Sequence, residues 1–233
     1  MKLLVLAGGL GTRVKKHIGE KPKALVNFHG KPFIYYFIKN YINLGITSFI
    51  FCLNYKGEEI QKFIESCKFI NINFEFYYDG SKPLGTAGSI IKIIRLLPNN
   101  FYITYGDTLL NIDFDLLTRK YEQLNTNALM TIYKNFNHLD RSNVRKINKY
   151  QIFYEKNNHD DQMNYIDYGL SVVNKKIFKK YDPNIPLDLS KIFFDLSIDN
   201  QLCGLEISER FYEIGSVNGI FDTKNFLMEK FNE

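Results

Sequence analysis

Cysteine is scarce in this 233-residue chain: there are three, Cys52, Cys67 and Cys203. None is spaced as a metal knuckle or a redox pair, and an odd count gives no disulfide framework, so the expected compartment is a reducing cytoplasm. No stretch approaches the roughly 20 apolar residues needed to cross a bilayer, which argues against a membrane partner. The apolar run over 3–7 is too short for the core of a signal peptide and leads straight into glycines, so a soluble, unexported protein is expected. The four histidines have no ligating or nucleophilic spacing. There is no internal repeat, no long linker and no hexapeptide repeat, so an added β-helix domain is not expected. Charge of one sign is not concentrated anywhere. The net +5 comes from scattered lysines, and no basic segment interleaved with aromatics suggests nucleic acid.

What is present is a globular composition. Hydrophobic residues make up 45% and include 20 Phe and 16 Tyr, enough for a large core and too many for a disordered chain. In the first half, strands alternate with helices. Strands are predicted over 2–7, 48–53, 72–78 and 101–105, and helices over 32–44, 57–66 and 86–97. Pro32 suits a helix start and Gly45 its end. Repeated βα units imply a Rossmann-like, mainly parallel sheet flanked by helices, with ligands bound beyond the carboxyl ends of its strands. The second half is less regular, with strands predicted over 128–133, 151–154 and 166–173 and helices over 187–196 and 217–230. A single domain over 1–233 is expected, with a nucleotide half over about 1–110 and an acceptor half over about 111–233.

Two segments fall at predicted strand ends. The first is Leu6-Ala7-Gly8-Gly9-Leu10-Gly11-Thr12-Arg13, followed by Lys21-Pro22-Lys23. Glycines let the backbone approach a ligand and turn its N–H groups toward phosphate oxygens, and Arg13 and Lys23 add positive charge. The segment is not a dinucleotide fingerprint, because Val14 stands where a third glycine is required, and it lacks the Gly-Lys-Ser/Thr of a Walker loop. The second is Gly106-Asp107, a carboxylate suited to a hard cation such as Mg2+.

On these residues the chain resembles the sugar-1-phosphate nucleotidyltransferase family, whose signature is Gly-x-Gly-Thr-Arg-Leu and then Pro-Lys-x-Leu. It departs at Val14, where leucine is usual. The resemblance implies the single-domain nucleotidyltransferase fold and an NTP and a sugar 1-phosphate as substrates. Pro83-Leu84-Gly85-Thr86-Ala87-Gly88 is similar to the family loop that lies against the base, a turn and helix start able to offer backbone donors. Asn54 is similar to a family residue near the nucleotide. Glu155-Lys156 resembles the family's Glu-Lys-Pro, with Asn157 in place of the proline and a polar insertion over 157–163. That resemblance gives Glu155 to sugar hydroxyls and Lys156 to the sugar phosphate. Asp167 and Gly169 fall on the sugar-facing strand. Near the end, Glu213 stands where the family has an aspartate that is a second metal ligand.

The chemistry implied is in-line attack of the sugar phosphate on the α-phosphorus of an NTP, with loss of pyrophosphate. A phosphate dianion needs no general base, so the protein must align two anions and screen their repulsion. Arg13 is expected to serve the leaving pyrophosphate, Lys23 the α-phosphate, and Asp107 with Glu213 the Mg2+. The loop over 83–88 looks most like that of guanylyltransferases acting on mannose or heptose 1-phosphate, with CTP, UTP and dTTP enzymes as alternatives. Two other readings stand beside it: a non-catalytic nucleotide-sugar sensor, and a glycosyltransferase using Asp113-Phe114-Asp115 as a metal motif. Neither monomer nor homodimer is indicated.

Overall fold

A computed structural model describes residues 2–9, 11, 14–80, 82–158 and 160–231. Thr12 and Arg13 therefore lie outside the described residues. Strand β1 (Lys2–Leu6) leads into the glycine loop, and a one-turn helix α1 (Lys15–Ile18) follows. A 3-10 turn covers Lys23–Leu25, and β2 (Asn27–Phe28) and β3 (Lys31–Pro32) form a small hairpin. Next come α2 (Phe33–Asn43), β4 (Ser48–Leu53), α3 (Gly57–Ser66), β5 (Asn73–Tyr78), α4 (Gly85–Ile93), β6 (Asn100–Tyr105) and β7 (Thr108–Leu109). The chain continues through α5 (Phe114–Leu124), β8 (Ala128–Lys134), β9 (Val144–Lys146), β10 (Ile152–Tyr154) and β11 (Tyr165–Asn174). It ends with a 3-10 turn over Lys175–Phe178, then α6 (Leu189–Ile198), β12 (Leu202–Ile207), β13 (Tyr212–Glu213) and α7 (Val217–Phe231).

The helical spacing of Phe33, Phe37 and Tyr41 predicted α2, and all three rings are fully buried. Pro32, with φ −61°, supplies the extended residue just before the helix. Gly45, at φ +88°, ends it in a conformation that a side chain resists. Asn40, on the same helix, is buried because its amide donates to the Leu110 carbonyl at 2.8 Å. Asp113 caps α5 by accepting from Leu116 N at 2.9 Å, while Phe114 is buried. Asp113-Phe114-Asp115 is thus a helix start and not a metal motif.

The described residues form two compact units. The first comprises residues 1–80, 104–110 and 211–233, and the second residues 81–103 and 111–210. In the first unit β1 pairs in parallel with β4, Leu3 opposite Phe49 and Leu6 opposite Cys52, and β4 pairs in parallel with β5. Leu3, Leu4 and Val5 are at most 1% exposed, as expected of a parallel strand covered on both faces. Burial of each such side chain contributes about 1.5–3 kcal/mol before chain entropy is opposed. Phe49, Phe51, Phe74 and Phe76 stack in a ladder across β4 and β5. Helix α3 begins on Glu58 and Glu59, whose charges suit the positive end of its dipole.

In the second unit β11 pairs antiparallel with β8 and with β9, β9 antiparallel with β10, and β8 in parallel with β12. Helix α6 packs two consecutive rings on β10, Phe193 against Tyr154 and Phe194 against Phe153. The α/β class is as expected, with the parallel β1–β4–β5 ladder in the first unit and mainly antiparallel pairs in the second.

Candidate active site

In the first unit the site is assembled where strands end. Ala7 N–H donates to the Cys52 carbonyl at 3.0 Å, and Gly106 N–H to the Leu6 carbonyl at 3.0 Å. The turns after β1 and β6 thereby lie against each other, and a Cβ on Gly106 would come within 2.7 Å of that of Ala7. A Cβ on Gly8 would stand 3.1 Å from that of Asn54, and the Asn54 amide in turn donates to Asp79 Oδ2 at 3.1 Å. Gly9 is exposed and a Cβ there would meet nothing within 4 Å, so only a ligand would require its smallness. Gly11 has φ +64°, and a Cβ would meet Lys23 Cγ at 2.9 Å, so the lysine stem lies across the glycine.

Lys23 opens the 3-10 turn after Pro22, and its Nζ donates to Asp107 Oδ2 at 2.5 Å. The two side chains are 19% and 30% exposed, so the pair is partly shielded but open to a ligand. Asp107 Oδ1 accepts from Thr108 Oγ1 at 3.1 Å. Glu213 arrives by pairing of two-residue strands: Glu213 opposes Thr108, and Ile214 N–H donates to the Asp107 carbonyl at 3.0 Å. Its carboxylate sits at the start of α7, where Gly215 N–H donates to Oε2 and Ser216 Oγ to Oε1. A methyl on Gly215 would stand 2.7 Å from Glu213 Oε2, 3.8 Å from Lys23 Nζ and 3.9 Å from Asp107 Oδ2. Three charged groups thus converge on one glycine.

Among the described residues no cluster of three His, Cys, Asp or Glu side chains forms a metal cage. Mg2+ does not need one, because it is held by one or two carboxylates plus phosphate oxygens and waters. Asp107, directly before β7, and Glu213, on the strand paired with β7, are two hard oxygen donors that fit that requirement. Tyr55, beside Asn54, turns to Glu20 Oε2 at 2.9 Å.

The second unit holds the other predicted residues. Helix α4 begins at Gly85, whose φ of +77° favours glycine and whose missing Cβ leaves room for the Leu187 carbonyl. That carbonyl accepts from Ala87 N–H at 2.9 Å and Gly88 N–H at 3.1 Å, and Thr86 Oγ1 accepts from Leu189 N–H at 2.7 Å. The expectation that this helix start offers its donors to a ligand is corrected for Ala87 and Gly88, because a neighbouring segment already satisfies them.

Around the end of β10, Glu155 Oε1 accepts from Asn157 N–H at 2.7 Å, and Lys156 Nζ lies 3.6 Å from Asp188 Oδ2. Gly169, at φ +99°, makes a bulge in β11, and its N–H donates to Asp167 Oδ1 at 2.9 Å. Burial pushes the Asp167 carboxyl up to about 6, partly offset by the Gly169 hydrogen bond and the Lys156 charge. In the polar insertion, Gln162 Oε1 accepts from Arg145 at 2.8 Å, and Asp160 Oδ2 lies 3.2 Å from the same side chain.

Two residues escaped the sequence reading. Asn143 accepts from Asp167 N–H through its side chain at 2.9 Å and from Glu155 N–H through its carbonyl at 3.0 Å. It lies in an irregular segment with no periodic signal. Asp188 caps α6 through Ser190 N–H at 2.9 Å as well as pairing with Lys156. An Asp-x-Ser at a helix start was a legible cap signal.

A parallel sheet whose strand ends present a glycine loop and Asp107, joined by Lys23 from a 3-10 turn and Glu213 from a short strand, defines an α/β protein built to handle phosphates. The chain belongs to the nucleotidyl transferase family, whose model matches residues 2–230. It is 28% identical over 183 residues to D-glycero-alpha-D-manno-heptose 1-phosphate guanylyltransferase of Campylobacter jejuni, covering 78% of this chain and 79% of that one. It is 27% identical over 232 residues to mannose-1-phosphate guanyltransferase of Hypocrea jecorina, covering 92% of this chain but 61% of that longer one. Crystalline HddC from Yersinia pseudotuberculosis superposes with a TM-score of 0.80 at 21% identity, over 97% of this chain and 99% of that one. Among the described residues no helix is long and apolar enough to cross a membrane.

Proposed function

We propose that this chain condenses an NTP, with GTP favoured, and a hexose or heptose 1-phosphate into an NDP-sugar and pyrophosphate. The observation that supports it most is the Lys23–Asp107 pair beneath the glycine loop, with Glu213 beside it. The guanylyl preference is supported by the names of the two relatives, and CTP, UTP or dTTP remains the alternative nucleotide.

In the reaction the sugar phosphate oxygen bonds to the α-phosphorus as the bond to the β-phosphate oxygen breaks. Lys23 exchanges Asp107 for an α-phosphate oxygen and holds the charge that builds there. Arg13, from the same loop, serves the departing pyrophosphate. Asp107 and Glu213 are the residues that would hold Mg2+, which when bound supplies charge neutralisation and Lewis acidity to the phosphates. Backbone N–H groups of Gly8, Gly9 and Gly11 suit the nucleotide phosphates. Leu6, Ala7, Thr12, Asn54, Gly106 and the segment of Pro83, Gly85, Thr86 and Ala87 are assigned to the nucleotide by resemblance. Lys156 would hold the attacking phosphate, and Glu155, Asp167 and Gly169 the sugar. The working place is a reducing cytoplasm, a reading supported by the three free cysteines.

The test is a matrix of GTP, CTP, UTP, dTTP and ATP against sugar 1-phosphates with Mg2+, read by pyrophosphate release. Highest kcat/KM with GTP and mannose or heptose 1-phosphate is expected. A higher value with CTP or UTP overturns the guanylyl reading, and no pyrophosphate from any pair overturns the condensation itself.

A further inference from the structure

Helix α7 holds Glu213 by both its backbone and its side chain. Thr223, a fully buried residue of that helix, donates through Oγ1 to the Glu213 carbonyl at 3.0 Å. A Cβ on Gly219 would overlap the Glu213 carboxylate and stand 2.6 Å from the same carbonyl oxygen. The first turn of α7 therefore has room for the glutamate only because residue 219 lacks a side chain. Glycine is a poor helix former, so its place inside this helix is explained by the carboxylate beside it.

Ser216 completes the enclosure. Its Oγ accepts from Gly219 N–H at 2.9 Å, the bond expected of a serine at a helix start. Capping uses a lone pair of the hydroxyl and leaves its hydrogen free, and Ser216 gives that hydrogen to Glu213 Oε1 at 2.5 Å. The other carboxylate oxygen, Oε2, accepts from Gly215 N–H. The two oxygens thus face different ways. Oε1 lies against α7, and Oε2 lies by Gly215, the residue on which Lys23 and Asp107 converge. A glutamate has one more rotatable bond than an aspartate, and tethering Oε1 removes that freedom before a cation arrives.

We propose that Ser216 is a positioning residue for the cation: its hydroxyl, itself held by Gly219 N–H, fixes Glu213 Oε1 against α7 and keeps Oε2 on the Asp107 side. The inference rests on the condensation reading above, in which Asp107 and Glu213 hold Mg2+. Loss of a partner that bonds a metal ligand, and not the metal, corresponds to about a tenfold to hundredfold loss of metal affinity.

The test compares Ser216→Gly and Ser216→Thr in the full chain. Glycine is a serviceable residue at a helix start, so Ser216→Gly removes the hydroxyl at little cost to the helix, and its melting temperature should fall by less than about 2 °C. Mn2+ is titrated into each protein with the α,β-methylene analogue of the NTP that wild type prefers, read by the enhancement of water proton relaxation. Ser216→Gly should bind Mn2+ about tenfold to a hundredfold more weakly, and the Mg2+ concentration for half-maximal pyrophosphate release should rise by a similar factor. The KM for the sugar 1-phosphate should stay unchanged, and Ser216→Thr, which keeps the hydroxyl, should match wild type in both metal measurements. Mn2+ affinity of Ser216→Gly within about twofold of wild type overturns the inference, whatever happens to its melting temperature. So does a Ser216→Thr variant as impaired in Mn2+ binding as Ser216→Gly. Absence of turnover by wild type with any substrate pair overturns the function reading and this role with it. An active wild type whose Ser216→Gly variant keeps its metal affinity overturns the role of Ser216 alone.

Discussion

Lys23 Nζ lies 2.5 Å from Asp107 Oδ2, although the two residues are 84 positions apart. The lysine is delivered by a 3-10 turn and the aspartate by the turn after β6. The proposed chemistry needs these two charges for different ligands, the lysine for phosphate and the aspartate for a cation. Their contact in the protein keeps each one neutralised until substrates arrive. A partly exposed pair of this kind contributes at most about 1 kcal/mol to stability.

Asp107→Asn should therefore fold with a melting temperature within a few degrees of wild type, on the order of 2–4 °C per kcal/mol. Its pyrophosphate release should fall by about a hundredfold or more, and EDTA should abolish that of wild type. Full activity without metal would remove both Asp107 and Glu213 from the proposed metal site.

Gly215→Ala probes the convergence point. The added methyl would approach Glu213 Oε2 to 2.7 Å, but that oxygen ends a flexible side chain and can move. Stability should change by less than about 1 kcal/mol while turnover falls by about tenfold or more, since the carboxylate is displaced from beside Asp107. Unimpaired turnover, measured at saturating Mg2+, would show that the Glu213 position is immaterial.

Lys156→Ala tests the acceptor side. Lys156 is half exposed and pairs at 3.6 Å with Asp188, so little stability is at stake. The KM for the sugar 1-phosphate should rise by about tenfold or more, with NTP affinity nearly unchanged. A fall in NTP affinity instead would mean that Lys156 serves the nucleotide.

Asp167 makes stability depend on pH. Its folded value of about 6 lies above the ordinary 3.8, so the native state holds the proton more tightly than the unfolded chain does. The associated stabilisation is complete below about 3.8 and is lost as pH rises through about 6. Asp167→Asn, neutral throughout, should gain on wild type in thermal stability between about pH 4 and pH 7, by at most about 3 kcal/mol. A stability difference that is flat with pH would show that the carboxyl titrates normally.

The residues alone determined the elements whose signal is local. The apolar run of β4 and the periodicity of α3 were legible to their ends, Ser48–Leu53 and Gly57–Ser66, because each is long enough to express its own period. The spelling of residues 6–13 and 21–25 was likewise enough to suggest the family. Tertiary structure decided what short or distant segments do. Strands β7 and β13 have two residues each, too few for any periodicity, yet their pairing brings Glu213 beside Asp107. The start of α4 reads as a set of free donors until Leu187, about a hundred residues later, supplies the acceptor. Asn143 gains its role only because Asp167 and Glu155 fold against it. Local propensity acts over a turn or a strand, whereas these contacts depend on which backbone groups the completed sheet leaves facing one another.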